Sequence, residues 1–384
     1  MTSFSQYPLD PKILTALNDL GYDQPTPIQE KTLPLVLNGD DVIALAETGS
    51  GKTAACAIPV CSRINQSEPY LQALVMVPTR ELALQYATAV QKVGRVKEVK
   101  AFALYGGEDM ELQKAKLRSG VHVLVATPGR LIDFIYQHAI DLSHVNTLIL
   151  DEADQMLSLG FYEDLNFIMD CLVQSHQTLL FSATMPDSIL KLSQKHMRQP
   201  KEIRLIEGKP TPKNLAHYFL FCPDPKKKQE CLLSLLPSLQ MEQSIIFANA
   251  RHEVEKLFYA LKPRFHPIDF LHGGLAQSIR STIIQKFSKG KIKYLVASDV
   301  ASRGLDFTMV SHVVNLHVPL DLETYLHRAG RTGRIGNKGA CITVVTKRDL
   351  KFVTALIEHI QSDVHWIGKP PGGFQQKQEP QEVS

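Results

Sequence analysis

The stretch Ala46-Glu47-Thr48-Gly49-Ser50-Gly51-Lys52-Thr53 narrows the possible folds of this chain more than any other. It follows the apolar run Val42 to Leu45, which reads as a buried strand. It precedes Ala54 to Ile64, whose alanines with Ile58, Val60 and Ile64 suit a helix. A sharp turn at such a junction aims several backbone N–H groups at one point, at a helix N-terminus carrying partial positive charge, and so cradles phosphate. Gly49 and Gly51 permit the turn. Lys52 can reach the β- and γ-phosphates of a bound triphosphate, and the Thr53 hydroxyl can coordinate Mg²⁺. Ala46 stands where the usual pattern has glycine, and a small side chain still fits there. A plain glycine-containing turn is the alternative, and it has to reproduce loop, strand and helix together by chance.

A chain of 384 residues exceeds the size at which one hydrophobic core keeps growing, so two domains are expected. No apolar run is long enough to cross a bilayer, and Met1 to Pro8 lacks the basic-then-apolar layout of a signal peptide, so a cytoplasmic protein is expected. The six cysteines form no Cys-x-x-Cys pair and the fourteen histidines no His-Glu-x-x-His, which leaves reduced, packed thiols and no case for zinc. A net charge of +3 permits a polyanion partner without demanding one.

Beyond the phosphate loop, apolar runs recur at Ala73 to Val77, Ala101 to Leu104, Val121 to Ala126, Thr147 to Leu150, Thr178 to Phe181 and Glu202 to Leu205, with helical stretches between them. This alternation predicts an α/β fold, a mostly parallel sheet flanked by helices, with ligands at the C-terminal ends of the strands. Polar motifs fall there: Pro78-Thr79-Arg80, Gly106-Gly107, Thr127-Pro128-Gly129-Arg130, Asp151-Glu152-Ala153-Asp154 and Ser182-Ala183-Thr184. An Asp at a strand tip, here Asp151, is placed to hold Mg²⁺, and Glu152 to activate an attacking water; the alternative is two acids favouring a helix N-terminus. Upstream, the closely spaced Pro25 and Pro27 stiffen the approach to Gln29, whose carboxamide matches the adenine edge but also suits a helix cap. Phe4 is a candidate to stack on the base.

Residues 1–205 form the expected first domain, 206–215 a Gly- and Pro-containing linker, and 216–367 a second domain. The second has runs at Ala216 to Phe221, Ser244 to Ala248, Ile268 to Leu271, Lys293 to Ala297, His312 to Leu316 and Cys341 to Val345, and no phosphate loop. Residues 368–384 read as a disordered tail.

From Phe4 to Trp366 these motifs resemble, in order, those of the DEAD-box family of ATP-dependent RNA helicases, within helicase superfamily 2. Gly21 to Gln29 looks like its Q motif, Ala46 to Thr53 like motif I, and Asp151 to Asp154 reads literally as motif II. Ser244 to Ala250 resembles motif IV and Gln277-Ser278-Ile279-Arg280 the Gln-x-x-Arg element. Ser298 to Asp306 resembles motif V, with Ser298 and Ser302 in place of the usual Thr and Ala, and His327 to Arg334 resembles motif VI. The resemblance implies two tandem RecA-like domains with ATP and Mg²⁺ between them. Arg331 and Arg334 would act as arginine fingers on the γ-phosphate, and Gly304 and Asp306 would touch the nucleotide. Single-stranded RNA would be held through its backbone by Thr79, Arg80, Gly107, Thr127, Gly129 and Arg130, and by Arg280 and Ser298. Asp154, Ser182, Thr184 and His327 would couple the two ligands. The implied activity is RNA-stimulated ATP hydrolysis by a monomer, driving domain closure and local, non-processive unwinding. An ATP-gated RNA clamp or scaffold is the competing expectation, and a DNA translocase a further one.

Overall fold

Four to seven consecutive β-forming residues, most of them buried on both faces, satisfy their backbone only by pairing with neighbours like themselves. In the computed structural model, which describes residues 3–46, 49–205, 215–299, 310–319, 321–333, 338–360 and 364–374, the runs pair in this way in two separate units, Met1–Glu207 and Gly208–Ser384.

In the first unit β1 (Val42–Leu45), β2 (Ala73–Met76), β3 (Ala101–Leu104), β4 (Val123–Ala126), β5 (Thr147–Leu150), β6 (Gln177–Ser182) and β7 (Lys201–Arg204) form a parallel sheet in the order β3-β4-β2-β5-β6-β1-β7. Around it lie α1 (Pro11–Asp19), α2 (Pro27–Asn38), α3 (Lys52–Arg63), α4 (Arg80–Val93), α5 (Met110–Arg118), α6 (Pro128–Tyr136), α7 (Ala153–Ser158), α8 (Tyr162–Asp170) and α9 (Asp187–His196). Because strand side chains alternate faces, Val42 and Ala44 enter one core with residues of α1 to α4, while Ile43 and Leu45 enter another with residues of α6 to α9.

The second unit holds β8 (Leu215–Phe221), β9 (Ser244–Phe247), β10 (Ile268–Leu271), β11 (Tyr294–Ala297), β12 (His312–Asn315), β13 (Gly339–Val345) and β14 (Val364–Ile367). Its helices are α10 (Lys228–Leu235), α11 (Arg251–Leu261), α12 (Gln277–Ser288), α13 (Leu322–Ala329) and α14 (Leu350–Ile360). All pairs are again parallel, in the order β10-β11-β9-β12-β13-β8-β14, which is the first sheet's order repeated strand for strand.

Three boundaries differ from expectation. Leu215, assigned to the linker, opens β8, because it pairs with Gly339 and is buried; residues 206–214 lie outside the described residues. β14 was not foreseen: four residues complete the sheet by pairing with β8. Residues 368–374, assigned to the tail, turn back, and Phe374 packs on Trp366, ring centroids 5.1 Å apart; residues 375–384 lie outside the described residues. Trp366 is itself buried and packs against Phe219 at 5.5 Å. Among the described residues no helix is long and apolar enough to cross a membrane.

Candidate active site

The phosphate loop leaves the tip of β1 and ends as the N-terminus of α3. Gly49 has φ +85° and Gly51 φ +96°, left-handed backbone that glycine adopts without penalty. The start of α2 presses directly on this loop. Gln29 is the third residue of α2, and its Oε1 accepts from the Thr26 backbone N–H at 2.9 Å while its Nε2 donates to the Gly51 carbonyl at 3.2 Å. Thr26 Oγ1 donates to the Ser50 carbonyl at 3.0 Å. Gln29 is therefore a helix cap and a strut under the loop at once. Each of its polar atoms retains one further bonding capacity, an acceptor and a donor. A Cβ on Gly51 would lie 2.8 Å from Gln29 Nε2 and 2.9 Å from Thr26 Oγ1, so this close approach admits only glycine. Phe4, expected at the base, is buried in a one-turn helix, Phe4–Gln6, among the side chains of the first core.

Lys52 folds back over the loop, its Nζ donating to the Ala46 carbonyl at 2.9 Å. Asp151 sits at the tip of β5, 3% exposed. Burial raises its carboxyl above the usual carboxylate range, and the Lys52 charge and the Glu152 N–H, which donates to Oδ1 at 2.9 Å, offset part of that rise. Glu152 caps α7 with φ +52° and ψ +49°, a conformation that costs a non-glycine residue about 1–2 kcal/mol and clusters at functional sites. Next in line, Asp154 Oδ2 accepts from Ala183 N at 3.0 Å, Thr184 N at 2.8 Å and Thr184 Oγ1 at 3.0 Å, and Asp154 N donates to Ser182 Oγ at 3.3 Å. The tips of β5 and β6 are thus joined by one carboxylate.

Along the same edge, Thr79 caps α4 by accepting from Leu82 N. The Arg80 guanidinium covers Gly107, whose φ is +85°; a Cβ there would lie 2.8 Å from Arg80 Cζ. Thr127 precedes α6, and Gly129 in its first turn has open space where a Cβ would stand. Arg130 is turned inward: Nη1 donates to the Glu108 carbonyl at 3.1 Å and Gln113 Oε1 at 3.0 Å, and Nη2 to Glu108 O at 3.1 Å. It braces the loop that carries Gly107.

In the second unit Arg280 of α12 and Ser298, just past β11, are buried. Arg331 follows α13, and its Nε donates to the His327 carbonyl at 3.2 Å. Between them in sequence Arg328, not singled out from the sequence, joins several elements of this edge. It makes a paired contact with Asp299 at 2.6 and 2.6 Å, donates to Asn315 Oδ1 at 3.1 Å, to Asn249 Oδ1 at 2.9 Å and to His317 O at 3.2 Å, and lies 5.0 Å over the Phe247 ring. Its neighbours in motif VI were the only sequence signal for it. Glu47, Thr48, Gly304, Asp306 and Arg334 lie outside the described residues.

Residues 26–192 match the family model described as DEAD/DEAH box helicase, and residues 227–336 match the helicase conserved C-terminal domain. The chain is 43% identical over 350 residues to the DEAD-box ATP-dependent RNA helicase CshA of Geobacillus kaustophilus, covering 91% of this chain and 75% of that protein. With CshA of Bacillus subtilis the figures are 40%, 92% and 72%. The chain belongs to the DEAD-box family. Among solved structures it is similar to S. cerevisiae Dbp5 bound to RNA and ADP BeF3, at a TM-score of 0.88 and 28% identity over 96% of each chain. Mss116p bound to ssRNA and AMP-PNP gives 0.85 and 30% over 94% of this chain and 78% of that one. Each unit is a RecA-like domain of this DEAD-box architecture.

A DEAD-box site calls for Mg²⁺ with the nucleotide, and the donor set here fits one. Asp151 offers a carboxylate and Thr53 a hydroxyl, both hard oxygen ligands.

Proposed function

We propose that this chain is an RNA-stimulated ATPase that unwinds short RNA duplexes locally, by closing its two domains on ATP and single-stranded RNA. The reading rests above all on the carboxylate of Asp154. It lies two residues from Glu152 and accepts from three donors, the Ala183 N–H and the Thr184 N–H and hydroxyl, so a change at the proposed hydrolytic acid reaches a second strand tip without slack.

The residue roles in this reading are the following, those of Glu47, Thr48, Gly304, Asp306 and Arg334 resting on the family resemblance alone. The spare acceptor and donor of Gln29 would read the adenine N6 and N7, and Phe4 would back the base. Residues 46 to 53 would hold the phosphates, with Lys52 on the β- and γ-oxygens. Mg²⁺, when bound, would neutralise phosphate charge; Asp151 and Thr53 would hold it. Glu152 would orient and deprotonate the attacking water. Arg331 and Arg334 would reach the γ-phosphate on closure, and Gly304 and Asp306 the rest of the nucleotide. Thr79, Arg80, Gly107, Thr127 and Gly129, with Arg280 and Ser298, would contact the RNA backbone, which carries little base information. Arg130 would act through the loop it braces, and Ser182, Thr184 and His327 would couple the sites.

Phosphate release with and without single-stranded RNA tests the proposal. RNA should stimulate the wild type, and a DNA strand of the same sequence should not. Glu152→Gln should bind ATP and RNA yet lose turnover, about 100-fold or more. Equal stimulation by DNA, or turnover by Glu152→Gln near wild type, would overturn the reading.

A further inference from the structure

Helix α13 meets the second sheet through polar as well as apolar contacts. Tyr325 and Arg328 stand three residues apart, on one face of the helix, and both are buried. The Tyr325 hydroxyl hydrogen-bonds His217 Nδ1 of β8 at 2.8 Å and lies against Cys341 and Thr343 of β13. Asn315 of β12 donates from Nδ2 to Thr343 Oγ1 at 3.0 Å and reaches Cys341 Sγ at 3.5 Å, and its Oδ1 accepts from Arg328. Strand register explains the line-up: Asn315 pairs with Thr343 and Cys341 with His217, so all four share a sheet face. With Asn249 just beyond β9, the seam crosses four neighbouring strands and ends on Arg328 and Asp299.

Apolar contact alone is non-directional, and a helix lying on it can rotate or slide slightly at little cost. Directional bonds at both ends of one helix face remove that freedom, a registry role for which buried polar groups are best attested. Burial raises the Tyr325 hydroxyl and the Cys341 thiol and lowers His217 to about 4, so these three are uncharged at neutral pH. Arg331 is tied to the end of the same helix, its N–H donating to Arg328 O at 3.1 Å and its Nε to His327 O.

We propose that Tyr325, Asn315 and Thr343 are positioning residues, a polar seam that fixes the rotation of α13 and thereby the aim of Arg331. This rests on the function proposed above for Arg331. Side chains lie about 5–6 Å from a helix axis, so a rotation of about 10° displaces the arginine by about 1 Å. A misplacement of that size can cost up to about 100-fold in rate.

The test uses the full chain with Thr343→Val, which keeps shape and removes the hydroxyl, and Thr343→Ser, which restores it. Tyr325→Phe is the second lesion. At a temperature where circular dichroism reports all variants folded, Thr343→Val and Tyr325→Phe should lower RNA-stimulated kcat about 5- to 50-fold, with KM for ATP within about twofold. Thr343→Ser should recover most of the loss. A purely structural seam would lower Tm and leave kcat at that temperature unchanged, and this result would overturn the proposal, as would a loss that Thr343→Ser does not recover. If the wild type itself shows no RNA-stimulated turnover, the function proposed above fails first, and amide exchange tests the seam separately. Faster exchange across residues 326–333 in Thr343→Val, with residues 251–261 unchanged, supports it; unchanged exchange overturns it.

Discussion

Replacing Gly51 with alanine should damage nucleotide binding more than it damages the fold. The new Cβ would stand 2.8 Å from Gln29 Nε2 and 2.9 Å from Thr26 Oγ1. Either the Gln29 and Thr26 side chains turn away or the loop shifts, and both responses break the bonds from Gln29 to Gly51 O and from Thr26 to Ser50 O. Two such bonds contribute about 1 kcal/mol each, and a left-handed alanine costs a further 1–2 kcal/mol, roughly 3–4 kcal/mol together. The empty loop can relax to recover much of this, whereas phosphate binding requires its original shape. The cost is therefore carried by the complex, and Kd for ATP should rise roughly 100- to 1000-fold. Calorimetric titration of Mg-ATP into the full chain measures it. Combining the change with Gln29→Ala adds a check: the loop contact is already lost in Gly51→Ala, so the pair should fall short of additivity by about 1 kcal/mol. An ATP affinity within about threefold of wild type would refute the strut.

Arg331→Ala should leave ATP binding nearly intact and abolish RNA stimulation, an arginine finger being worth roughly 10³–10⁵ in rate, and lysine should rescue poorly; stimulated phosphate release checks both. Asp154→Asn places an amide NH₂ against either Gln155 N or the donors of residues 183 and 184, so ATP hydrolysis should persist while strand separation per ATP falls about tenfold or more; parallel ATPase and duplex-displacement assays separate the two. His217 falls from 6.5 to about 4 because it is buried, with His365 adding to the shift. Below pH 6.5 the unfolded chain takes a proton that the folded chain refuses, so stability is full above 6.5 and is lost as pH falls toward 4, by about 2 kcal/mol between pH 7.5 and 5. Urea unfolding at the two pH values should show that slope in the wild type and a shallower one in His217→Gln.

Much of this molecule was legible because its strands are short apolar runs buried on both faces, and because polar groups at the tips of such runs have few reasons to be there other than chemistry. Asp151 and Glu152 after Thr147 to Leu150 are the clearest case of position: they stand where the run ends, between β5 and α7. Gln29 was half legible: Thr26-x-x-Gln29 is a local capping pattern, but the bond to Gly51 spans 22 residues and exists only once α2 lies on the loop. Arg130 and Arg328 were less legible still. A guanidinium in a motif reads as a ligand for phosphate, and nothing local distinguishes one aimed outward from one satisfied by carbonyls and amides brought from other elements. Arg328 finds Asn249 and Asp299 at separations of 79 and 29 residues. β14 escaped because Val364 to Ile367 becomes a strand through its neighbour β8 and carries no strong pattern of its own.

The packing of Trp366 between Phe219 and Phe374 has a practical consequence, because it is the only tryptophan in the chain. Excitation that selects indole reports on the second RecA-like domain alone, with no label and no engineered residue. A denaturation curve read by that emission and one read by backbone ellipticity will coincide only if both domains melt together. Their separation would assign each transition to its half of the chain, and a red shift that precedes loss of ellipticity would mark Phe374 and the C-terminal turn as the first part to let water in.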